Sequence, residues 1–256
     1  MVDAASSSNF DVQSALDGVG SQLCSLSHWV TKKGLVTLPG NVHAFDAFQV
    51  ADGKLRYTPL TSTKLELSLL AYAASQGKYE EVMVLLLASE ANKQPGEAYD
   101  DTFYAALDEA LDEALFLALF YGHRKVAKLL LRRGAKPGAQ ISHSGIHGAA
   151  SRGLRKEIRN YIIRHRVDPD VFDGSGGTPV ICAMHLDSPH DWNTIKLLFQ
   201  LGANTQARVG VATIALFWSY PDFARAMGKE NLAKQMEKAI ALDKSHREIP
   251  DYHLID

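Results

Sequence analysis

The residues whose types and spacing come closest to a reactive constellation are His185, Asp187, His190 and Asp191. They place imidazole and carboxylate groups of the kind that hold zinc or non-haem iron within one short segment. Their spacing follows no established ligand motif and Pro189 interrupts it, so a solvated connection between helices is the simpler reading and no metal is assigned. His123 and His147 complete the set of acid/base candidates. With His185, Asp187, His190 and the acids between Asp100 and Glu113, they are the groups an isomerisation, cyclisation or hydrolysis would draw on. For His147 such a role needs a second group within hydrogen-bond reach, which a sequence does not place.

A second set is suited to binding. Tyr121, His123, Trp192, Phe217, Trp218 and Tyr220 are candidates for surface recognition, because aromatic side chains bury large areas with few rotors. Arg152 joins them as the first residue of a basic run with Arg155, Lys156, Arg159, Arg164, His165 and Arg166. Steps of three and four put Arg152, Arg155, Lys156 and Arg159 on one side of a helix, where a solvated face is simpler than a phosphate site. The Gly-rich segment from Asp173 to Pro179 lacks the Gly-Lys-Ser/Thr ending of a phosphate loop and follows no strand of a βαβ unit. No cofactor is assigned.

Positioning such groups requires a scaffold, and composition bounds it. The 256 residues are 46% hydrophobic, enough for a substantial core. Lys plus Arg (27) nearly balance Asp plus Glu (29), and the net charge of −2 provides no field for nucleic acid or an anionic membrane. Apolar runs fall short of the roughly 18 residues of a membrane span. Cys24 and Cys182, far apart and with no N-terminal apolar leader, are read as reduced thiols of an intracellular, cytoplasmic protein.

The scaffold repeats. Ala73-x3-Gly77, Ala118-x3-Gly122, Ala149-x3-Gly153 and Ala224-x3-Gly228 align, and each glycine is followed by a triplet at i, i+3 and i+4. The triplets are Val82/Leu85/Leu86, Val126/Leu129/Leu130, Ile158/Tyr161/Ile162 and Leu232/Gln235/Met236. After Ala183 and a longer connection, Ile195/Leu198/Phe199 adds a fifth. The spacing predicts a helix face, and the glycine ahead supplies the positive φ that ends a preceding helix. Gly134-Ala135-Lys136-Pro137, Val167-Asp168-Pro169 and Gly202-Ala203-Asn204-Thr205 then stop the second helix of each unit.

These units resemble the ankyrin repeat, a β-turn plus two antiparallel helices in about 33 residues with a T-P-L-H-x-A signature. Thr178-Pro179-Val180-Ile181-Cys182-Ala183 is similar to the first half of that signature and Gly145-Ile146-His147-Gly148-Ala149-Ala150 to the second. The resemblance spans residues 61–242 in about five imperfect copies. It implies an all-α solenoid of helix-turn-helix units with short hairpin turns, in which His147 ties neighbouring hairpins together. It also implies a non-enzymatic interaction module or adaptor that binds another protein on a concave face. The alternative is an enzyme or small-molecule binder whose pocket is formed by the irregular repeats and the N-terminal residues.

Irregularity is concentrated in three insertions, near residues 92–114, 185–193 and 209–223. The first is acidic and is expected to lengthen a hairpin or a first helix. Residues 1–60 form an N-terminal extension, in which Val12, Leu16, Val19, Leu23, Leu26 and Val30 predict an amphipathic helix that caps the stack. Residues 243–256 are expected to be a polar tail.

Overall fold

The structure, a computed structural model, describes residues 33–42, 44–91, 101–138, 144–210 and 217–247. The capping helix expected over residues 12–30 and the tail beyond residue 247 lie outside these. In chain order the elements are β1 (Gly34–Pro39), a 3-10 turn (Ala44–Ala47), β2 (Phe48–Ala51), β3 (Lys54–Tyr57), β4 (Ser62–Leu67), α1 (Leu69–Ser75), α2 (Tyr79–Ala91), α3 (Asp101–Phe120), α4 (Arg124–Arg132) and α5 (Gly145–Ser151). There follow α6 (Arg155–Arg164), α7 (Pro179–Ala183), α8 (His190–Gln200), β5 (Arg208–Gly210), β6 (Phe217–Ser219), α9 (Tyr220–Ala226) and α10 (Glu230–Arg247).

The chain divides into two compact units, and residues 43–59 belong to the second although their flanks belong to the first. In the first unit α1 packs on α3 and α2 on α4. In the second, α7 packs on α9, while α8 packs on both α6 and α10. First helices therefore meet first helices and second helices meet second helices within each unit.

The aligned Ala-x3-Gly sequences build one recurring turn. Gly77, Gly122, Gly153 and Gly228 have φ of 70°, 84°, 66° and 73°. The residue after each glycine donates its N–H to the aligned alanine: Lys78 to Ala73, His123 to Ala118, Leu154 to Ala149 and Lys229 to Ala224. This is the six-to-one closure of a helix end that uses a left-handed residue. The alanines are buried, and so are Val82, Leu85, Leu86, Val126, Leu129, Leu130, Ile158, Tyr161, Ile195, Leu198, Leu232 and Met236 of the triplets. Gln235, the polar member of the last triplet, is exposed. Second helices close in the same way, with Ala135 N–H donating to Leu130 and Ala203 N–H to Leu198. Arg166 takes the equivalent left-handed position at φ 56° without being glycine.

The expectation of an all-α chain is corrected by the three two-stranded antiparallel sheets found among the described residues. β1 pairs with β4 in a register running from Gly34 opposite Leu67 to Pro39 opposite Ser62. β2 and β3 form a tight hairpin in which Asp52 and Gly53 both have positive φ, at 53° and 69°. That is the two-residue turn matching the twist of paired strands. The described part of residues 1–60 is thus strand and turn rather than helix. β5 and β6 form the third ribbon within the 209–223 insertion, and a short α9 follows it.

Two other boundaries shift. α3 is a 20-residue helix, so the described part of the acidic insertion lengthens a first helix. α10 runs to Arg247, and Thr205 Oγ1 donates to Asp243 at 2.8 Å, so the residues from 243 to 247 continue a helix where a tail was expected.

Candidate functional site

The acid/base candidates are dispersed by the fold. In the first unit, His123 follows the turn closed by Gly122, and its Nε2 donates to the Ser75 carbonyl at 3.0 Å. The Tyr121 hydroxyl donates to the Pro39 carbonyl at 2.8 Å, and burial pushes its pKa up to about 12. These two rings stack at 6.5 Å, and each links a helix end to an element distant in sequence. His147 is 1% exposed and sits in the first turn of α5, with Nδ1 2.7 Å from Ser144 Oγ. A substrate arriving from solvent does not reach it in this arrangement.

The acids of α3 are also engaged. Asp112 is buried and accepts the backbone N–H of Lys136, while Lys136 Nζ donates to Asp108 at 2.6 Å. Lys33 Nζ donates to Glu109 at 3.1 Å. Burial raises Asp112 to about 6 against the pull of Lys136, and raises Glu113 to about 7 against the pull of Lys33. The carboxylates thus fasten α3 to the turn after α4 and to the residue before β1.

In the second unit the segment from His185 to Asp191 splits. Asp187 and His190 are exposed. Asp191 is buried and pairs with Lys229 Nζ at 3.1 Å. Lys229 also donates to the Leu186 carbonyl, so this ammonium fastens the α7–α8 connection to the turn before α10. Among the described residues no three metal-binding side chains come together. His185 points inward: its Nδ1 donates to the Ile181 carbonyl at 3.2 Å, which leaves Nε2 as a bare acceptor, buried and without a hydrogen-bond partner. Its ring lies 6.0 Å from Phe48 and 5.7 Å from Tyr57, and burial lowers its pKa to about 4. Phe48 meets Phe223 edge-on at 4.9 Å. The β2–β3 hairpin therefore supplies one wall of this aromatic cluster.

The aromatic binding candidates separate by depth. Tyr220 is 0% exposed and shares a 3.1 Å hydrogen bond with Thr178, so the expectation of a surface role for it is corrected. Trp192 and Trp218 are half-buried, Arg152 is exposed, and Phe217, opposite Gly210 at the first position of β6, is 58% exposed. Phe172 was missed from sequence and is 56% exposed. The signal for it was an apolar residue directly before a Gly-rich turn.

That turn is rigidly built. Asp173 accepts the N–H groups of Ser175 and Gly177 at 3.0 and 2.7 Å, and Thr178 caps α7 by accepting the Ile181 N–H. Gly177 has no space for a side chain, because a Cβ would meet Asp173 Oδ2 at 2.8 Å. Adjacent turns are then tied in series: Asp170 accepts the Asn204 N–H at 2.8 Å, and the Thr178–Tyr220 bond joins the Gly-rich turn to the start of α9. Phe172 directly precedes the Asp173 turn, and Phe217 stands three residues before the buried Tyr220.

A family model for the ankyrin repeat matches residues 113–141. Its described part covers the second half of α3, the Gly122 turn, α4 and the turn that Asp112 holds. The match supports an ankyrin repeat at these residues, and ankyrin repeats in general bind proteins. No curated protein matches the chain. No helix among the described residues is long and apolar enough to cross a membrane.

Proposed function

We propose that the chain is a non-enzymatic protein-interaction module or adaptor, a solenoid of about five imperfect ankyrin-type repeats that recognises a partner protein through its turns. The observation that carries this reading is the exposure of Phe172, directly before the turn built on Asp173, and of Phe217, at the first position of β6 ahead of the buried Tyr220. Aromatic side chains bury a large area with few rotors, so they lose little conformational freedom on binding, which is the usual property of an interface anchor. We place the protein in the cytoplasm on the thiol usage of its sequence, with Cys182 a buried free thiol.

The test compares the full chain with a Phe172→Ser/Phe217→Ser variant. Both positions are exposed, so unfolding midpoints should agree. A partner captured by the parent chain should bind it in purified form by calorimetry and lose at least about ten-fold in affinity for the variant. Equal binding by both would discard the turn row as the interface.

A second reading, an enzyme or small-molecule binder of isomerase, cyclase or hydrolase type, draws on one feature, the bare buried Nε2 of His185. A thermal-shift screen against metabolites and metal ions tests it, because a ligand of the folded state raises the midpoint. A hit lost in His185→Ala would favour it over the interaction module.

A further inference from the structure

We propose that the groove between α2 and α4 is a docking site for an acidic peptide segment of a partner protein. This surface lies in the first unit and is separate from the turn row of the second, so either can fail without the other. The groove has a volume of about 420 Å³ and is lined by Tyr79, Glu80, Lys125, Lys128, Leu129 and Arg132.

Three features give it this chemistry. First, Lys125, Lys128 and Arg132 stand at i, i+3 and i+7 of α4 and therefore share one face. All three are exposed, and none makes an ion pair or hydrogen bond with another described residue. Lys33, Lys78, Lys136 and Lys229 are all paired. Like charges at this spacing repel one another on a helix, so α4 carries a strained cationic face that arriving carboxylates would relieve. Second, the chain is net negative at −2, so the cationic face is a local construction. Among the described lining residues the one opposing charge is Glu80 on α2. Third, Leu129 lies at 7% exposure between the cations and Tyr79 is half-buried, which provides an apolar floor for one side chain.

The length of the charged row decides the ligand class. At 1.5 Å of rise per residue, Lys125 to Arg132 spans about 10 Å. A single small anion engages one end of such a row, whereas a peptide with carboxylates on successive turns engages all of it.

Fluorescence anisotropy of a fluorescein-labelled, glutamate-rich peptide with one central leucine tests the proposal on the full chain. Saturable binding at about 50 mM salt should weaken roughly ten-fold at about 300 mM, as expected for exposed charges inside a Debye length. Lys125→Glu/Lys128→Glu should abolish binding with an unchanged melting midpoint, Glu80→Gln should strengthen it a few-fold, and Phe172→Ser/Phe217→Ser should leave it intact. Replacing the peptide's leucine by serine should weaken it several-fold if Leu129 and Tyr79 form the floor. Absence of binding, or binding indifferent to the charge reversal, would overturn the site. Equal competition by an oligonucleotide of matched charge would also overturn it, by showing a general anion surface.

Discussion

The imidazole of His123 rests against the bare backbone of Gly77: a Cβ built on that glycine would meet Nδ1 at 2.5 Å. The same ring holds the Ser75 carbonyl through Nε2. Two successive helix-turn-helix units are thereby locked by a contact that needs glycine twice, once for its φ of 70° and once for the missing side chain.

Gly77→Ala should therefore cost about 2–3 kcal/mol, combining the left-handed penalty with displacement of the ring. His123→Ala should cost about 1–2 kcal/mol through loss of the hydrogen bond and packing. Because removing the ring also removes the overlap, the double variant should lose less than the sum. Urea unfolding of all four proteins measures this, and strict additivity would show that the two residues do not share the contact.

Tyr220→Phe removes a hydroxyl that is fully buried and bonded to Thr178. The expected loss is about 1 kcal/mol. Thr178→Val should cost more, about 1–2 kcal/mol, because it also strips the cap of α7. If the two losses rank the other way in chemical denaturation, the cap is not the larger contribution at Thr178.

The recurring turn was legible because it is local. Alanine, glycine and an apolar triplet within a short window dictate a helix end and a buried face, and these appear four times over with the same hydrogen bond. The β2–β3 hairpin also had a local signal, Asp52-Gly53 between Phe48–Ala51 and Lys54–Tyr57, but a search for helical spacing passes over a period of two. The pairing of β1 with β4 had none, since its partners are separated by the excursion of residues 43–59. Burial depth was the least legible property. Phe217 and Tyr220 stand close together in one aromatic segment, yet one is 58% exposed and the other 0%. The difference arises because Tyr220 begins a helix packed on α7 while Phe217 is the first residue of a strand in a two-stranded ribbon. For the same reason the histidines and carboxylates near His185 looked convergent in sequence, although helix geometry turns His185 inward and leaves Asp187 and His190 in solvent.

The buried imidazole of His185 makes stability depend on pH. Burial, followed in size by the opposing Ile181 carbonyl and then the Lys229 ammonium, leaves its folded pKa at about 4. The unfolded value is about 6.5. Above the unfolded value both states are neutral and the contribution is complete. As pH falls towards the folded value, the unfolded chain takes up the proton first and stability is lost. Between pH 7.5 and 5 the loss assignable to this half-buried ring is about 1–2 kcal/mol. Asp112 and Asp173, both raised to about 6 by burial, change stability in the opposite direction over that range. The informative quantity is therefore the difference between parent chain and His185→Gln, whose neutral amide can still donate to Ile181. Parallel pH profiles for the two would remove His185 from this account.

Glu113 has the opposite sign. Its carboxyl is mostly buried on α3, accepts a backbone hydrogen bond from Ser68 and keeps Oε2 without a partner. Burial outweighs the attraction of Lys33 and sets its folded pKa at about 7. Below the unfolded value of about 4.5 both states hold the proton, and the contribution is complete. As pH rises through 7 the unfolded chain has already ionised and stability is lost, by about 1–2 kcal/mol for a group that water partly reaches. Glu113→Gln keeps the shape and abolishes the ionisation, so it should gain that amount at pH 8 and nothing at pH 4. Lys33 keeps its counter-ion in the variant, because Glu109 lies 3.1 Å away. Equilibrium unfolding at the two pH values decides the matter: a variant less stable at both would mean that the attraction of Lys33 exceeds the penalty of burying the charge.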